Sequence, residues 1–467
     1  MNERCLHAYQ SFMAMKVNQG RNLLLQELKS NPQNVLPLVL INYEDFISLV
    51  FNENPEEYKK RLPLKEKRLA LLENADKNSP YYLFSKALLY FQWSMIQIKY
   101  TDYWNAAWDF RKAFLLFKEN KNKFPDFSYN NIFLGSQETV ISTIPKGYKW
   151  ISTIMGLKGD MQSGLLLLKS SISMKDQPFK EEAFLYLVYL KNYIENDVEG
   201  ANQLVKNYQL DVKNNQLFCF MSANLALNNK QAAITESILL NRNKSAEYIP
   251  FPMLEYELGD AKLRRLAPDA AGHFQYFISN SKSNFYIKDA CMSLAYCYYL
   301  QGDMKLANEY KEKIKYIGKT ESDADKQAQR FAETGSFPDK DLLRARLMND
   351  GGYNDKALKI LQSKTINSFK KDNEKLEYIY RFGRIYDELN QDEKALKYYD
   401  QTIQMGRYST EYFASRAALQ AGQICEQNGR RKDALDYYYK VLEMDDHEFK
   451  NSLDQRAKSG INRLKEH

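Results

Sequence analysis

The chain has 467 residues, 66 Lys and Arg against 59 Asp and Glu, and a formal net charge of +7. That excess is thin for the length and is scattered among acidic neighbours, so no nucleic-acid partner is expected. Five irregularly spaced cysteines exclude a disulfide framework, four histidines leave little for a metal site, and 34 Tyr with 25 Phe exclude a disordered chain.

The first residues, Met-Asn-Glu-Arg-Cys, contain no apolar core of a signal peptide. A cytoplasmic protein is therefore expected, or a periplasmic or envelope protein if a leader has been removed. The most apolar stretch, Val35 to Phe51, is broken by Asn42, Glu44 and Asp45. It falls short of the ~18 clean apolar residues of a membrane span. Pro55, Pro63, Pro125 and Pro145 mark loops. Tyr81 to Lys99 pairs with the amphipathic stretch Asp102 to Phe117, which sets Ala106, Phe110 and Ala113 on one face. Asn130 to Lys149 is weakly patterned and reads as a loop. Between Glu182 and Asn241 two hairpins are predicted, with turns near Asn196 and Asn228 and second helices starting at Ala201 and Ala233.

A repeat emerges further on. Gly383 precedes Ala395 by 12 residues, and Gly422 precedes Ala434 by the same interval. The gap recurs from Ala345 to Ala357, Ala295 to Ala307, Gly259 to Ala271 and, more loosely, Ser152 to Gly164. Two antiparallel helices approach most closely at one level, and a small side chain on each lets the axes near ~8 Å. Five residues before the second small residue stand Gly302, Gly352, Asn390 and Gly429. These residue types enter the left-handed conformation that closes a helix. Four residues after it, a bulky Leu361, Tyr399 or Tyr438 follows on the same face; Lys311 takes that place in one degenerate copy. The gaps between second small residues are 36, 50, 38 and 39.

This pattern resembles the tetratricopeptide repeat. The resemblance implies an all-α, right-handed α-solenoid of antiparallel hairpins. Its expected divisions are an N-terminal region of degenerate repeats (1–180), middle hairpins (181–316), an inserted loop (317–341) and C-terminal hairpins with a capping helix (342–467). NPQNVLPLVLINYEDF, IPKGYKWISTIMGLKGDMQSG, LLRARLMNDGGYNDKAL and DHEFKNSLDQRAKSG also resemble a family of uncharacterised tetratricopeptide proteins of Bacteroidota.

In such arrays the first helix of each hairpin lines a concave groove. Carried onto this chain, the resemblance names Met292, Tyr296 and Tyr299, then Leu342, Arg346 and Asn349. Tyr380, Arg384 and Asp387 follow, then Gln423, Glu426 and Gln427. Tyrosine and arginine are enriched at interface hot spots. The implied function is a non-catalytic scaffold that holds a segment of a partner protein in the groove, unless the chain's own superhelix fills it. A component of an envelope or export assembly is the alternative for an exported chain. RNA binding by a helical repeat is disfavoured, because periods of 36 to 50 lose step with successive bases. The carboxylate clamp of chaperone-binding arrays is missing, since its positions hold residues such as Tyr296, Arg346, Asp350 and Glu388. Gly318-Lys319-Thr320 lacks the earlier glycine of a phosphate loop, and Asp350, Asp387 and Glu388 are expected to be solvated charges. No catalytic centre and no cofactor are expected.

Overall fold

The computed structural model describes residues 1–143, 156–195, 197–334 and 336–465, and every regular element among them is helical. Consecutive helices pair as antiparallel hairpins along the chain, the arrangement of a tetratricopeptide-like α-solenoid.

One backbone device builds these hairpins. A residue in the left-handed region ends eight first helices, at Met15, Thr101, Lys230, Leu266, Gly302, Gly352, Asn390 and Gly429, with φ between 54 and 92°. In all eight, the next residue donates its N–H to the carbonyl five positions back, as in Lys16 to Ser11 and Arg430 to Cys425, both 2.8 Å. That bond closes the orphan carbonyls of a helix end. Seven residues before and five after each turn stand small side chains: Ala8 and Gly20, Ser94 and Ala106, Ala223 and Thr235, Gly259 and Ala271 in the first half. Ala295 and Ala307, Ala345 and Ala357, Gly383 and Ala395, Gly422 and Ala434 follow in the second. All eight first positions and all eight second positions are buried. At Gly20 an added Cβ would stand 2.9 Å from the Ala8 carbonyl oxygen, which shows how near the two backbones come.

The Ser152–Gly164 spacing and the turn near Asn196 involve residues outside those described, as does the far end of the 130–149 segment. Gly164 itself packs on another partner: a Cβ there would come within 2.6 Å of the Gly135 carbonyl oxygen.

Three expectations are corrected. Asn130–Ser142, expected as a loop, is a helix paired with Met161–Ser173. It is covered almost all round, so polar residues such as Gln137 face inward and the apolar stripe disappears. Gln137 donates to the Phe110 carbonyl at 2.8 Å. The segment expected as an inserted loop contains the helix Asp323–Thr334, which packs Ala328, Phe331 and Ala332 against Ile287–Gln301. Its buried Asp325 accepts backbone N–H bonds from Tyr286, Lys288 and Asp289 at 2.8 to 3.2 Å, capping that neighbouring helix. Ala233 is exposed and Ala232 is buried, so the second helix of that hairpin turns inward one residue earlier than expected.

The N-terminal residues fold back on later hairpins. Tyr9, Tyr43 and Tyr186 all donate to the buried Glu182 carboxylate, at 3.1, 2.6 and 2.5 Å. Phe51 meets Phe220 and Phe251, Ile249 donates to the Met15 carbonyl, and Ser283 bonds Glu53. One apolar cluster accordingly runs from Cys5 to Leu258. Further on, the 227–232 turn meets the 350–353 turn: Lys230 pairs with Glu388, and Arg264 donates to the carbonyls of Leu227 and Asp350.

Candidate partner-binding face

The first helices Ile287–Gln301, Lys340–Asp350, Asp372–Glu388 and Phe413–Gln427 carry the twelve residues named from the repeat. From Lys340–Asp350 onward each touches the next, and Lys450–Lys465 continues the row beside Phe413–Gln427.

Five of the twelve do not line an open surface. Met292, Tyr296, Leu342, Asn349 and Tyr380 are buried, with Leu342 fully enclosed. Tightly packed first helices turn these positions into the seam between neighbours. Asn349 donates to Asn354, and Tyr296 lies beneath the Arg346 guanidinium, 5.6 Å from its centroid, and beside Phe331. Tyr299 is held by the 317–341 segment: its ring stacks on Phe337 and its hydroxyl donates to the Pro338 carbonyl at 2.9 Å.

The carboxylates are not solvated charges either. Asp387 accepts from the Tyr399 hydroxyl at 2.8 Å and pairs with Arg384 at 3.3 Å. Glu426 accepts from the Tyr438 hydroxyl at 2.5 Å and from Arg463 at 2.9 Å. Glu388 pairs with Arg384 and Lys230. Arg346, Arg384 and Gln423 are half-buried, and Gln427 is exposed.

The structure adds arginines that the repeat pattern passed over. Arg381 is buried, pairs with Glu377 at 2.8 Å and lies over the Tyr380 ring. Arg416 lies in the first turn of Phe413–Gln427, six residues before Gly422, a spacing that could have been read from the sequence. Arg456 lies on the capping helix, outside any repeat. Arg346, Arg416 and Arg456 form no ion pair with a carboxylate among the described residues, and the Arg416 Nε is buried without a hydrogen-bond partner. Partial burial lowers the Arg456 pKa, and the charges of Arg416 and Arg384 lower it further.

Among the described residues no group of three or more His, Cys, Asp and Glu is placed to hold a metal ion, and no helix is long and apolar enough to cross a membrane. All five cysteines are free and buried, and burial pushes the thiols of Cys219, Cys291 and Cys297 up to about 12, so none is a ready nucleophile at neutral pH.

Fold and face together define an α-helical repeat array with an arginine-bearing row of first helices. No family model and no curated protein matches the chain, so the narrower likeness to Bacteroidota proteins has no support from relatives. Among solved structures the chain is similar to "Structure of Naa15/Naa10 bound to HypK-THB", at 12% identity and a TM-score of 0.27, covering 98% of this chain but 65% of that one. It is also similar to "Crystal structure of APC/C hetero-tetramer Cut9-Hcn1", at 10% identity and 0.26, covering 99% and 96%. Similarity this distant identifies neither a function nor a partner.

Proposed function

We propose that the chain is a non-catalytic scaffold that holds a segment of a partner protein along the first helices of its C-terminal half. The observation that supports this reading is the row itself. Four helices, from Lys340–Asp350 to Lys450–Lys465, lie side by side in one row, and on Asp372–Glu388 the side chains of Arg381 and Arg384 are already held by ion pairs. A receptor built this way loses little conformational freedom on binding. The N-terminal half offers less, because residues 9–51 already lie against Lys180–Tyr189 and the 216–251 segment.

The test is purification of the chain with its partner from the native cell, followed by cross-linking mass spectrometry. Cross-links concentrated on 340–350, 372–388, 413–427 and 450–465 are expected. A partner cross-linked only to second helices, such as Asp392–Gly406 and Arg431–Glu443, would overturn the assignment.

A further inference from the structure

The charges along this row are unequal. Arg381 and Arg384 already have carboxylates, Glu377 on one side and Asp387 with Glu388 on the other. Arg346, Arg416 and Arg456 form no such close ion pair, although Glu377 acts on Arg346 at longer range; they stand on three different helices of the row. The fields of Arg346 and Arg456 meet at the neighbouring rings of Tyr412 and Tyr380, and Arg416 acts on Arg456. The two rings lie 6.3 Å apart, Arg346 and Arg381 act on Tyr412, and Arg384 and Arg456 act on Tyr380. Like charges acting on one another, as Arg416 and Arg384 act on Arg456, raise the free energy of the unliganded protein, and an incoming anion relieves it. A half-buried guanidinium with spare donors, such as Arg416 with its orphan Nε, gains most, because desolvation has already been met in folding.

We infer that Arg346, Arg416 and Arg456 bind an acidic segment of a partner protein, laid across the first helices from Lys340–Asp350 to the capping helix. The inference rests on the scaffold reading and adds the chemistry of the partner. Three steps of ~8–10 Å between neighbouring helices make the path roughly 25–30 Å, the reach of about eight or nine extended residues. Such a segment would need carboxylates opposite the three arginines and neutral residues opposite Glu377, Asp387 and Glu388. A peptide can meet that alternation, whereas a nucleic-acid backbone carries its phosphates at fixed spacing past the same carboxylates. The aromatic rings offer no stacking platform for bases either: Tyr380 is buried, and Tyr412 is occupied by Phe413 and Phe449.

The probe is a fluorescein-labelled peptide of about nine residues, alternating Asp or Glu with Ser, titrated with the full chain by fluorescence anisotropy up to about 100 μM. The expected result is saturable binding that weakens with salt and falls about tenfold in Arg456→Glu, whose exposed position leaves the core intact. Arg416→Gln should weaken it further, with circular dichroism confirming that the helices are kept. No binding, binding unchanged by Arg456→Glu, or tighter binding of a single-stranded RNA of equal charge would each overturn the inference. If the peptide fails while the native partner still cross-links to the first helices, only the acidic segment is lost. If those cross-links are absent too, the scaffold reading falls with it.

Discussion

Tyr399 lays its ring against the bare Cα of Gly383: a Cβ there would stand 2.6 Å from the ring. Tyr438 meets Gly422 at the same 2.6 Å, and along its other edge meets Gly460 of the capping helix at 2.5 Å. Each tyrosine then reaches along its groove to a carboxylate 12 residues earlier, Asp387 or Glu426. Two neighbouring hairpins thus carry the same knob, hole and strut, and the strut explains why carboxylates at groove positions are engaged from within.

Replacing Gly383 or Gly422 with Ala is expected to destabilise the chain by about 1–3 kcal/mol, since neither the ring nor the backbone can retreat freely. Gly272→Ala is the control. Nothing lies within 4 Å of its added Cβ in the helix Ala270–Asn280, so about 0.5–1 kcal/mol of stabilisation is expected from helix propensity alone. Urea unfolding of the three variants checks both signs.

The left-handed turns predict a graded series. Thr101, at φ 62°, holds a conformation that disfavours a Cβ, and Thr101→Gly should stabilise the hairpin by about 1 kcal/mol. Gly429→Ala meets open space and should lose only the corresponding strain, about 1–2 kcal/mol. Gly352→Ala should lose more, because its Cβ would also come within 2.0 Å of the Lys230 carbonyl oxygen in the facing turn. Equal melting temperatures for the last two would contradict that contact.

The carboxylate of Glu182 ties the N-terminal residues to the middle of the chain. Tyr43→Phe leaves the Glu182 Oε2 with only the longer bond from Tyr9 in a buried site, and a loss of about 1–3 kcal/mol is expected. Hydrogen exchange should show the change first in Asn42–Asn52 and Lys180–Tyr189, the elements the bond connects.

Two acids, the buried Glu257 and the half-buried Asp289, make stability depend on pH. Burial raises Glu257 from 4.5 to about 8, with Asp260 adding to it against the Asn224 hydrogen bond. Burial likewise raises Asp289 from 3.8 to about 7, opposed by the Tyr256 hydroxyl. The folded state therefore holds protons that the unfolded chain has released. This contribution is complete below pH 3.8 to 4.5 and is lost as pH rises through 7 and 8. Glu255, lowered to about 2 chiefly by His273, acts in the opposite sense and only in acid. Glu257→Gln should flatten the decline between pH 5 and 8 and raise stability at pH 8, by on the order of a few kcal/mol. An unchanged slope in denaturant midpoints across that range would count against a protonated Glu257.

The legible part of the fold was the part written in backbone chemistry. Gly302, Gly352, Asn390 and Gly429 announce their turns because these residue types adopt positive φ at little cost, and all four do so. Met15, Thr101, Lys230 and Leu266 perform the same turn without announcing it. Tertiary packing overrode their local preference; spacing still exposed the hairpins around Thr101, Lys230 and Leu266, and only the one around Met15 went unread. The face was legible only in part. The repeat placed Arg346, Arg384, Gln423 and Gln427 on partly open positions, yet it also named Leu342 and Tyr380, which neighbouring helices bury.

Spacing along the chain determined that helices pair, where most turns fall and which small residues meet, because hairpin contacts are local and follow helical periodicity. Only the tertiary structure decided which surfaces stay open. Tyr9 and Tyr43 meet Glu182 across more than a hundred residues, Lys230 meets Glu388, and Lys450–Lys465 comes to rest beside Phe413–Gln427. Such meetings depend on how successive hairpins stack and rotate, a sum of many small packing angles that no local run of residues encodes.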